Sequence, residues 1–235
     1  MPESSTTIGE PIARAKRWKH GAIPVVGLIG GVGGGKSAAA AALAARGAFV
    51  IDADSVGHAT LRRPEVVRRL AERFGDGILD VDGGVDRRAL GRIVFADEAA
   101  RRDLESIVHP LMVDEFERLT ADAERRDDAR FVILDAAVLL ESGWDRACDL
   151  VVYIDASQAI RLERVRRSRG WSAEELERRE AAQWPVDRKM ARADRVLIND
   201  GDVSDLESQV DRLVAWLDSA VPPTADRRPS PGPLP

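Results

Sequence analysis

The stretch Pro24-Val-Val-Gly-Leu-Ile-Gly-Gly-Val-Gly-Gly-Gly-Lys-Ser37 decides the fold. Its apolar part, Val25 to Ile29, indicates a buried strand, and the alanine-rich segment Ala38 to Ala45 indicates a helix. Between them stands Gly30, then four residues, then Gly-Lys-Ser, which is the full pattern of a phosphate-binding (Walker A) loop in its strand–loop–helix context. The stretch therefore predicts an α/β protein that binds a nucleoside triphosphate.

The residue types of this loop suit phosphate binding. Glycines let the backbone curl so that successive N–H groups face phosphate oxygens, and the helix start adds the positive end of its dipole. We expect the Lys36 ammonium to reach the β- and γ-phosphates and the Ser37 hydroxyl to ligate Mg²⁺. The residues expected to contact ATP are Gly31, Val32, Gly33, Gly34, Gly35, Lys36, Ser37 and Ala38.

The composition argues against several classes of protein. A chain of 235 residues suffices for one sizeable α/β domain with insertions, and its net charge of −5 gives no global attraction to nucleic acid or to an anionic membrane. The sole cysteine, Cys148, fits a reducing compartment. The sequence contains neither an apolar run of the ~20 residues that a membrane span needs nor the apolar core of a signal peptide. We therefore expect a cytoplasmic enzyme, a monomer or small homo-oligomer, without nucleic-acid or membrane partners.

Strand and helix patterns alternate between two polar ends. Residues 1–22 and the proline-rich residues 221–235 are expected to be disordered. The further predicted strands are Ala48–Ile51, Phe131–Leu134, Leu150–Ile154 and Arg195–Ile198. The further predicted helices are Pro64–Phe74, Asp86–Phe95, Asp97–Glu124 with a bend at Pro110, Ser157–Arg167, Ala173–Trp184, Val186–Arg192 and Val203–Leu217. This alternation implies a three-layer P-loop NTPase fold with a parallel five-stranded sheet and ligands at the carboxyl ends of its strands.

Two connections are too long for a simple crossover. Roughly 70 residues separate the second strand from the third, far beyond a normal connection, and a second helical excursion separates the fourth strand from the fifth. A helical insertion that holds an acceptor and an Arg-rich helical lid that closes over phosphates are features of small-molecule kinases. We divide the expected kinase domain, 23–220, into a core (23–55, 119–155 and 193–220), an acceptor-binding insertion (56–118) and a lid (156–192).

Acidic residues end two of the predicted strands. Asp52 and Asp54 follow the second strand, where one can cap the next helix while the other faces the ligand. A carboxylate there can accept a proton from a substrate hydroxyl or help to hold Mg²⁺, and two capping aspartates are the alternative. Asp135 ends the third strand in the manner of a Walker B acid, where it can reach Mg²⁺ through water or serve as a cap.

The lid segment is rich in arginine. Guanidinium groups form two-pronged hydrogen bonds to phosphate, and a closing arginine can stabilise the charge that develops during phosphoryl transfer. A solvated helix with Glu–Arg pairs is the alternative, so we expect one or two of these arginines to contact phosphate. The arginines are Arg161, Arg164, Arg166, Arg167 and Arg169.

The histidines do not suggest a metal site. His109-Pro110 follows Leu104 and Ile107 on one helical face, which favours a core or helix-breaking role over catalysis. His20 and His58 have no ligand-like spacing around them, and no Cys/His cluster occurs, which argues against zinc.

Taken together, these motifs resemble the dephospho-coenzyme A kinase family, from about Val25 to Asn199. The Asp-Ala-Asp and His-Pro segments are more specific than the phosphate loop, which many NTPases share. The matching segments are Gly27 to Ser37, Val50-Ile-Asp-Ala-Asp54, Asp82-Gly83 with Asp86-Arg87 and Leu90, Leu104-Glu-Ser-Ile-Val-His-Pro110, Val138-Leu-Leu-Glu141, Gln183 with Lys189, and Ala193-Asp194 with Asn199.

The resemblance implies that ATP phosphorylates the ribose 3′-hydroxyl of dephospho-CoA, the last step of coenzyme A biosynthesis. It implies Asp54 as the general base, Lys36 and Ser37 at the nucleotide, and CoA binding by the insertion. The substrate contacts and lid arginines that it implies are Arg87, His109 and Pro110, and Arg164, Arg167 and Arg169.

The sequence departs from the family at three positions. Ala137 stands where a proline is usual, and Ala38 stands where a threonine is usual. Ser168 takes the place of a lid arginine, so that Arg167 or Arg169 must substitute for it.

Three other classes of protein use the same kind of phosphate loop. Another small-molecule or nucleoside monophosphate kinase would have the same core. A GTP-driven switch needs an Asn-Lys-x-Asp motif, and the only asparagine, Asn199, is followed by Asp200. A nucleic-acid-binding ATPase would use the arginine-rich helices, yet those helices are interleaved with glutamate and the net charge is negative.

Overall fold

The computed structural model describes residues 23–220, and the expectations for residues 1–22 and 221–235 lie outside the described residues. A five-stranded sheet has the order β2-β3-β1-β4-β5. The strands are β1 Val25–Gly30, β2 Ala48–Asp52, β3 Phe131–Asp135, β4 Leu150–Asp155 and β5 Arg195–Ile198. Strand β1 is parallel to β3 and to β4, and β4 is parallel to β5. The predicted α/β fold with its parallel sheet is confirmed.

Nine α-helices lie within the described residues: α1 Lys36–Ala44, α2 Ala53–Thr60, α3 Pro64–Phe74, α4 Arg87–Ala96, α5 Glu98–Glu124, α6 Gln158–Arg169, α7 Ala173–Ala181, α8 Val186–Met190 and α9 Val203–Ala220. The sequence did not predict α2, since Gly57 interrupts its pattern. In helix α5 the backbone continues through Pro110. Among the described helices, none is long and apolar enough to cross a membrane.

The sheet is buried because its central strands are almost wholly apolar, as expected for parallel strands covered on both faces. Helices α1 and α9 cover one face, where Leu43 and Leu213 pack with Val26 of β1 in the core. On the other face, a Cβ atom on Gly27 would lie 2.7 Å from Leu139 Cδ2, so the segment after β3 packs directly on β1.

The described chain divides into two compact units. Residues 23–51 and 120–220 contain the sheet, α1 and α6 to α9, and residues Asp52–Leu119 contain α2 to α4 and most of α5. In the second unit, Gly83 has a left-handed φ of 78° in a turn where Asp80 Oδ1 accepts from two backbone N–H groups. Asp86 then caps α4, accepting at 2.9 Å from Arg88 N. The Asp82-Gly83 and Asp86-Arg87 motifs therefore form a turn and a helix start.

Candidate active site

The phosphate loop joins β1 to α1. Gly33 and Gly35 have φ values of 77° and 92°, a region that side chains rarely adopt, so both positions require glycine. The Gly34 N–H group donates to Gly31 O at 3.0 Å and closes the turn. No side chain caps α1 at Gly35. The first N–H groups of α1 are therefore available to a phosphate at the helix N-terminus.

Lys36 and Asp135 meet at the carboxyl edge of the sheet. Lys36 Nζ forms an ion pair with Asp135 Oδ1, and the two side chains are 22% and 12% exposed. The sheet register explains the pair, because Leu28 of β1 lies beside Asp135 of β3. Asp135 is therefore within reach of the phosphate loop.

The oxygen donors near the loop suit a hard cation that is held mainly by a nucleotide. Ser37 supplies a hydroxyl from the first turn of α1, and Asp135 supplies a carboxylate. Within the described residues there is no group of three or more His, Cys, Asp or Glu side chains that could hold a metal ion. The available donors thus fit Mg²⁺ that is bound through phosphate oxygens, with few protein ligands.

Arg164 and Asn199 support the loop. Arg164 donates from Nη1 to Gly34 O at 3.3 Å and from Nη2 to Asn199 O at 2.8 Å. Asn199 Nδ2 also donates to Gly34 O, at 2.9 Å. A Cβ atom on Gly35 would collide with the Asn199 amide. The sequence did not predict this role of Asn199. The one local feature that could have indicated it is the position of a polar residue directly after β5.

The other lid arginines differ in environment. Arg161 is buried, donates from Nε to Ala156 O at 3.0 Å and forms an ion pair with Glu180. Arg167 is exposed, and so is Arg169, whose guanidinium lies over the Trp171 ring. Of the three lid arginines predicted to be catalytic, Arg164 is thus the one that the structure places on the phosphate loop.

A buried polar cluster is formed by Lys189, Gln183 and Glu141, and it was not predicted as a site. Lys189 is 2% exposed, donates to Gln183 Oε1 at 2.7 Å and lies 3.4 Å from Glu141 Oε1. The same Glu141 oxygen accepts from Trp184 N at 2.8 Å. Burial lowers the pKa of Lys189, and Glu141 opposes that change.

The remaining predicted residues belong to the second unit. Asp52 caps α2, accepting from Asp54 N at 2.9 Å, whereas the Asp54 side chain is exposed in the first turn. Arg87 is exposed at the start of α4. His109 is partly buried on α5, next to the exposed Pro110, and its burial lowers its pKa against the opposing charge of Glu105.

Comparison with known proteins gives a consistent result. The family model of dephospho-CoA kinase matches residues 24–205. A dephospho-CoA kinase of Symbiobacterium thermophilum is 45% identical over 196 residues, which cover 82% of this chain and 80% of the relative. A dephospho-CoA kinase of Methylococcus capsulatus is 41% identical over 190 residues, which cover 80% of this chain and 94% of the relative.

Two solved structures are also similar. The crystal structure of TT1252 from Thermus thermophilus has a TM-score of 0.71 and 34% identity, with 84% of this chain and 98% of that chain covered. The dephospho-CoA kinase of Campylobacter jejuni has a TM-score of 0.63 and 21% identity, with 83% and 97% covered. At that identity, the second likeness shows the fold alone.

Proposed function

The chain belongs to the dephospho-CoA kinase family, and on this basis we propose how its residues divide the work of the reaction. It is an ATP-dependent phosphotransferase that transfers the γ-phosphoryl group of ATP to the ribose 3′-hydroxyl of dephospho-CoA. The products are CoA and ADP, and the reaction is the last step of coenzyme A biosynthesis.

The phosphate loop is the donor site in this proposal. Backbone N–H groups from Gly31 to Ala38 would surround the phosphates of ATP, and Lys36 would move from Asp135 to the β- and γ-phosphates. Ser37 would hold Mg²⁺ together with the nucleotide, and Asp135 would reach it through water. Mg²⁺ bound there would neutralise part of the negative charge on the phosphates of ATP.

Asp54 is the proposed general base. Its neighbour Asp52 is occupied as the cap of α2, whereas the exposed Asp54 carboxylate lies in the first turn after β2. Asp54 would accept the proton of the ribose 3′-hydroxyl while the hydroxyl oxygen attacks the γ-phosphorus. The bond from the γ-phosphorus to the bridging oxygen breaks, and ADP leaves.

The lid and the insertion complete the proposal. Arg164 already contacts the loop and would stabilise the transferring group, aided on lid closure by Arg167 or Arg169. The segment 56–118, within the second unit, would bind CoA, with Arg87, His109 and Pro110 as substrate contacts. We also propose a cytoplasmic monomer or small homo-oligomer without a nucleic-acid partner.

The complete phosphate loop with Lys36 beside Asp135 supports the donor side of this proposal, and the family match over residues 24–205 supports the acceptor. The test is ADP release by the purified protein with Mg-ATP, comparing dephospho-CoA with a panel of nucleoside monophosphates and with no acceptor. We expect turnover with dephospho-CoA only. Turnover with a monophosphate in its place would contradict the assigned acceptor.

A further inference from the structure

Helix α6 packs directly on the phosphate loop. A Cβ atom on Gly31 would lie 3.0 Å from Arg161 Nη1, and a Cβ atom on Gly33 would lie 2.9 Å from Arg161 O. The Arg161 guanidinium therefore lies against the loop backbone at Gly31. One turn later on the same helix, Arg164 donates to Gly34 O at 3.3 Å. Residues three apart lie on one face of a helix, so the two arginines contact the loop from the same face of α6.

Two contacts fix the Arg161 guanidinium in this place. Its Nε group donates to Ala156 O at 3.0 Å, directly after the end of β4. Its Nη1 atom forms an ion pair with Glu180 in the last turn of α7. Arg161 is only 9% exposed, so its charge depends on partners within the protein. The planar guanidinium reaches both partners at once, which the single nitrogen of a lysine would not do.

Gly31 and Glu180 both line a cavity of about 230 Å³. The other residues that line this cavity follow α7, and they are Gln183, Trp184, Pro185, Val186 and Lys189. At this place the loop and the segment 180–189 are therefore separated by open space instead of by packed side chains. The Arg161 guanidinium lies against Gly31 and pairs with Glu180, so it connects the two sides.

The residue before Glu180 ties α7 to the other end of α6. The guanidinium of Arg179 lies 4.7 Å from the centre of the Trp171 ring, and that of Arg169, the last residue of α6, lies 4.6 Å from it. Contacts of this kind are attractive because the ring face is electron-rich. Helix α7 is thus attached to the end of α6 through Trp171 and to its first half through Arg161.

We infer that Arg161 is a positioning residue that couples helix α7 to the phosphate loop, with Glu180 as the partner that holds its guanidinium against Gly31. The inference rests on the proposed function, in which the loop binds the phosphates of ATP. Phosphates on the loop fix its backbone, and Arg161 transmits that order to α7. Because coupling between two sites is reciprocal, the attachment of α7 also strengthens the binding of phosphates to the loop.

Hydrogen exchange in the presence of inorganic triphosphate and Mg²⁺ tests this inference. The probe occupies the phosphate loop but has neither a base nor a ribose that contacts α7 directly. In wild type, saturating triphosphate should slow amide exchange in α7 by about fivefold or more, which is the lower end of typical coupling between sites. In Arg161→Gln, triphosphate should still protect the loop and should no longer protect α7.

Arg166→Gln, on an exposed position of α6, is the matched control and should behave as wild type does. Equal protection of α7 in Arg161→Gln and in wild type would overturn the inference. So would a wild type in which triphosphate protects the loop and leaves exchange in α7 unchanged.

A double-mutant cycle on the Kd for ATP gives a second readout. Arg161→Gln and Glu180→Gln should each raise this Kd by about fivefold. The double variant should exceed the larger single effect by no more than about twofold, because both changes break the same link. Glu177→Gln, exposed on α7, is the control. Effects that multiply in the double variant would contradict the coupling.

Stability measurements separate this role from a merely structural one. A structural ion pair would lower the free energy of unfolding of the variants and leave the Kd of the folded protein for ATP unchanged, which would overturn the inference. The double variant leaves no unpaired charge from this pair, so it keeps the test valid if a single variant does not fold. A wild type whose loop triphosphate does not protect would instead contradict the proposed donor site.

Discussion

Lys36 of the phosphate loop is ion-paired with Asp135 at the end of β3. The parallel register of β1 and β3 makes this contact, since β1 passes directly into the loop beside the last residue of β3. A triphosphate on the loop would compete with Asp135 for the same ammonium. The transfer of Lys36 to phosphate would then free the Asp135 carboxylate for Mg²⁺. One pair of residues thus connects nucleotide binding with the metal role proposed for Asp135.

The first prediction follows from the metal role proposed for Asp135. We expect Asp135→Asn to raise the Mg²⁺ concentration for half-maximal activity by about tenfold, as for a residue that contacts a metal through water. Asp155→Asn, at the end of β4 on the other side of β1, is the matched control and should leave the Mg²⁺ dependence unchanged. An Asp135→Asn enzyme with reduced kcat and an unaltered Mg²⁺ titration would limit Asp135 to orienting Lys36.

The proposed base makes the second prediction. Asp54→Asn should lower kcat by about 10²–10⁴-fold, because proton transfer from the acceptor is lost, while the Kd for ATP changes little. Asp52→Asn is a sharp control, since asparagine caps a helix as well as aspartate does. If Asp52→Asn loses turnover and Asp54→Asn retains it, the two roles have been assigned the wrong way round.

Arg164 makes the third prediction. Its guanidinium donates hydrogen bonds to two backbone carbonyls, those of Gly34 and Asn199. The ammonium group of a lysine cannot reproduce the geometry of this pair of bonds. Arg164→Ala should reduce kcat/KM for ATP by roughly 10–100-fold, with little rescue in Arg164→Lys.

The same assay compares the remaining lid arginines. Arg166→Ala, on an exposed position of α6, is the control. We expect Arg167→Ala or Arg169→Ala to lower kcat more than it lowers ATP affinity, since these arginines are proposed to act on lid closure. Kinetics of both variants indistinguishable from the Arg166→Ala control would remove them from the catalytic set.

His109 makes a prediction about stability and pH. Burial lowers the pKa of His109 below its usual value of 6.5, so its neutral form is favoured in the folded protein. As the pH falls through 6.5, His109 becomes protonated in the unfolded chain before it does so in the folded protein. Acidification therefore lowers the free energy of unfolding until the pH reaches the lowered pKa of the folded state. Denaturant unfolding at pH 7.5 and 5.5 should show a smaller loss of stability in His109→Gln than in wild type. His58→Gln, exposed on α2, should behave as wild type does.

Local patterns were enough to predict the central fold. The loop of β1 and α1, the helix Pro64–Phe74 and the strand Arg195–Ile198 were predictable because each has its own periodicity and end signals. Helix α2 was missed because its start depends on one side chain, Asp52, and its middle contains Gly57.

The unpredicted parts of the candidate site are contacts between distant segments. Lys189 meets Glu141, which lies 48 positions earlier and before β4, and Arg161 of α6 meets Glu180 of the next helix, α7. A sequence rich in arginine and glutamate offers many such pairs, and no local pattern selects among them. The family resemblance includes Glu141 in one matching segment and Gln183 with Lys189 in another, and the hydrogen-bond network that joins them became visible only in the structure.

The bond from Asn199 to Gly34 has a consequence for how the protein is made. The two residues are 165 positions apart, so the loop near the start of the chain depends on a brace near its end. During translation, the ribosome exposes the glycine-rich loop long before it synthesises Asn199. The nascent chain therefore holds an unbraced loop for most of its synthesis, and the nucleotide site is completed late. The loop therefore gains this brace only after the 165 residues that separate Gly34 from Asn199 have been synthesised.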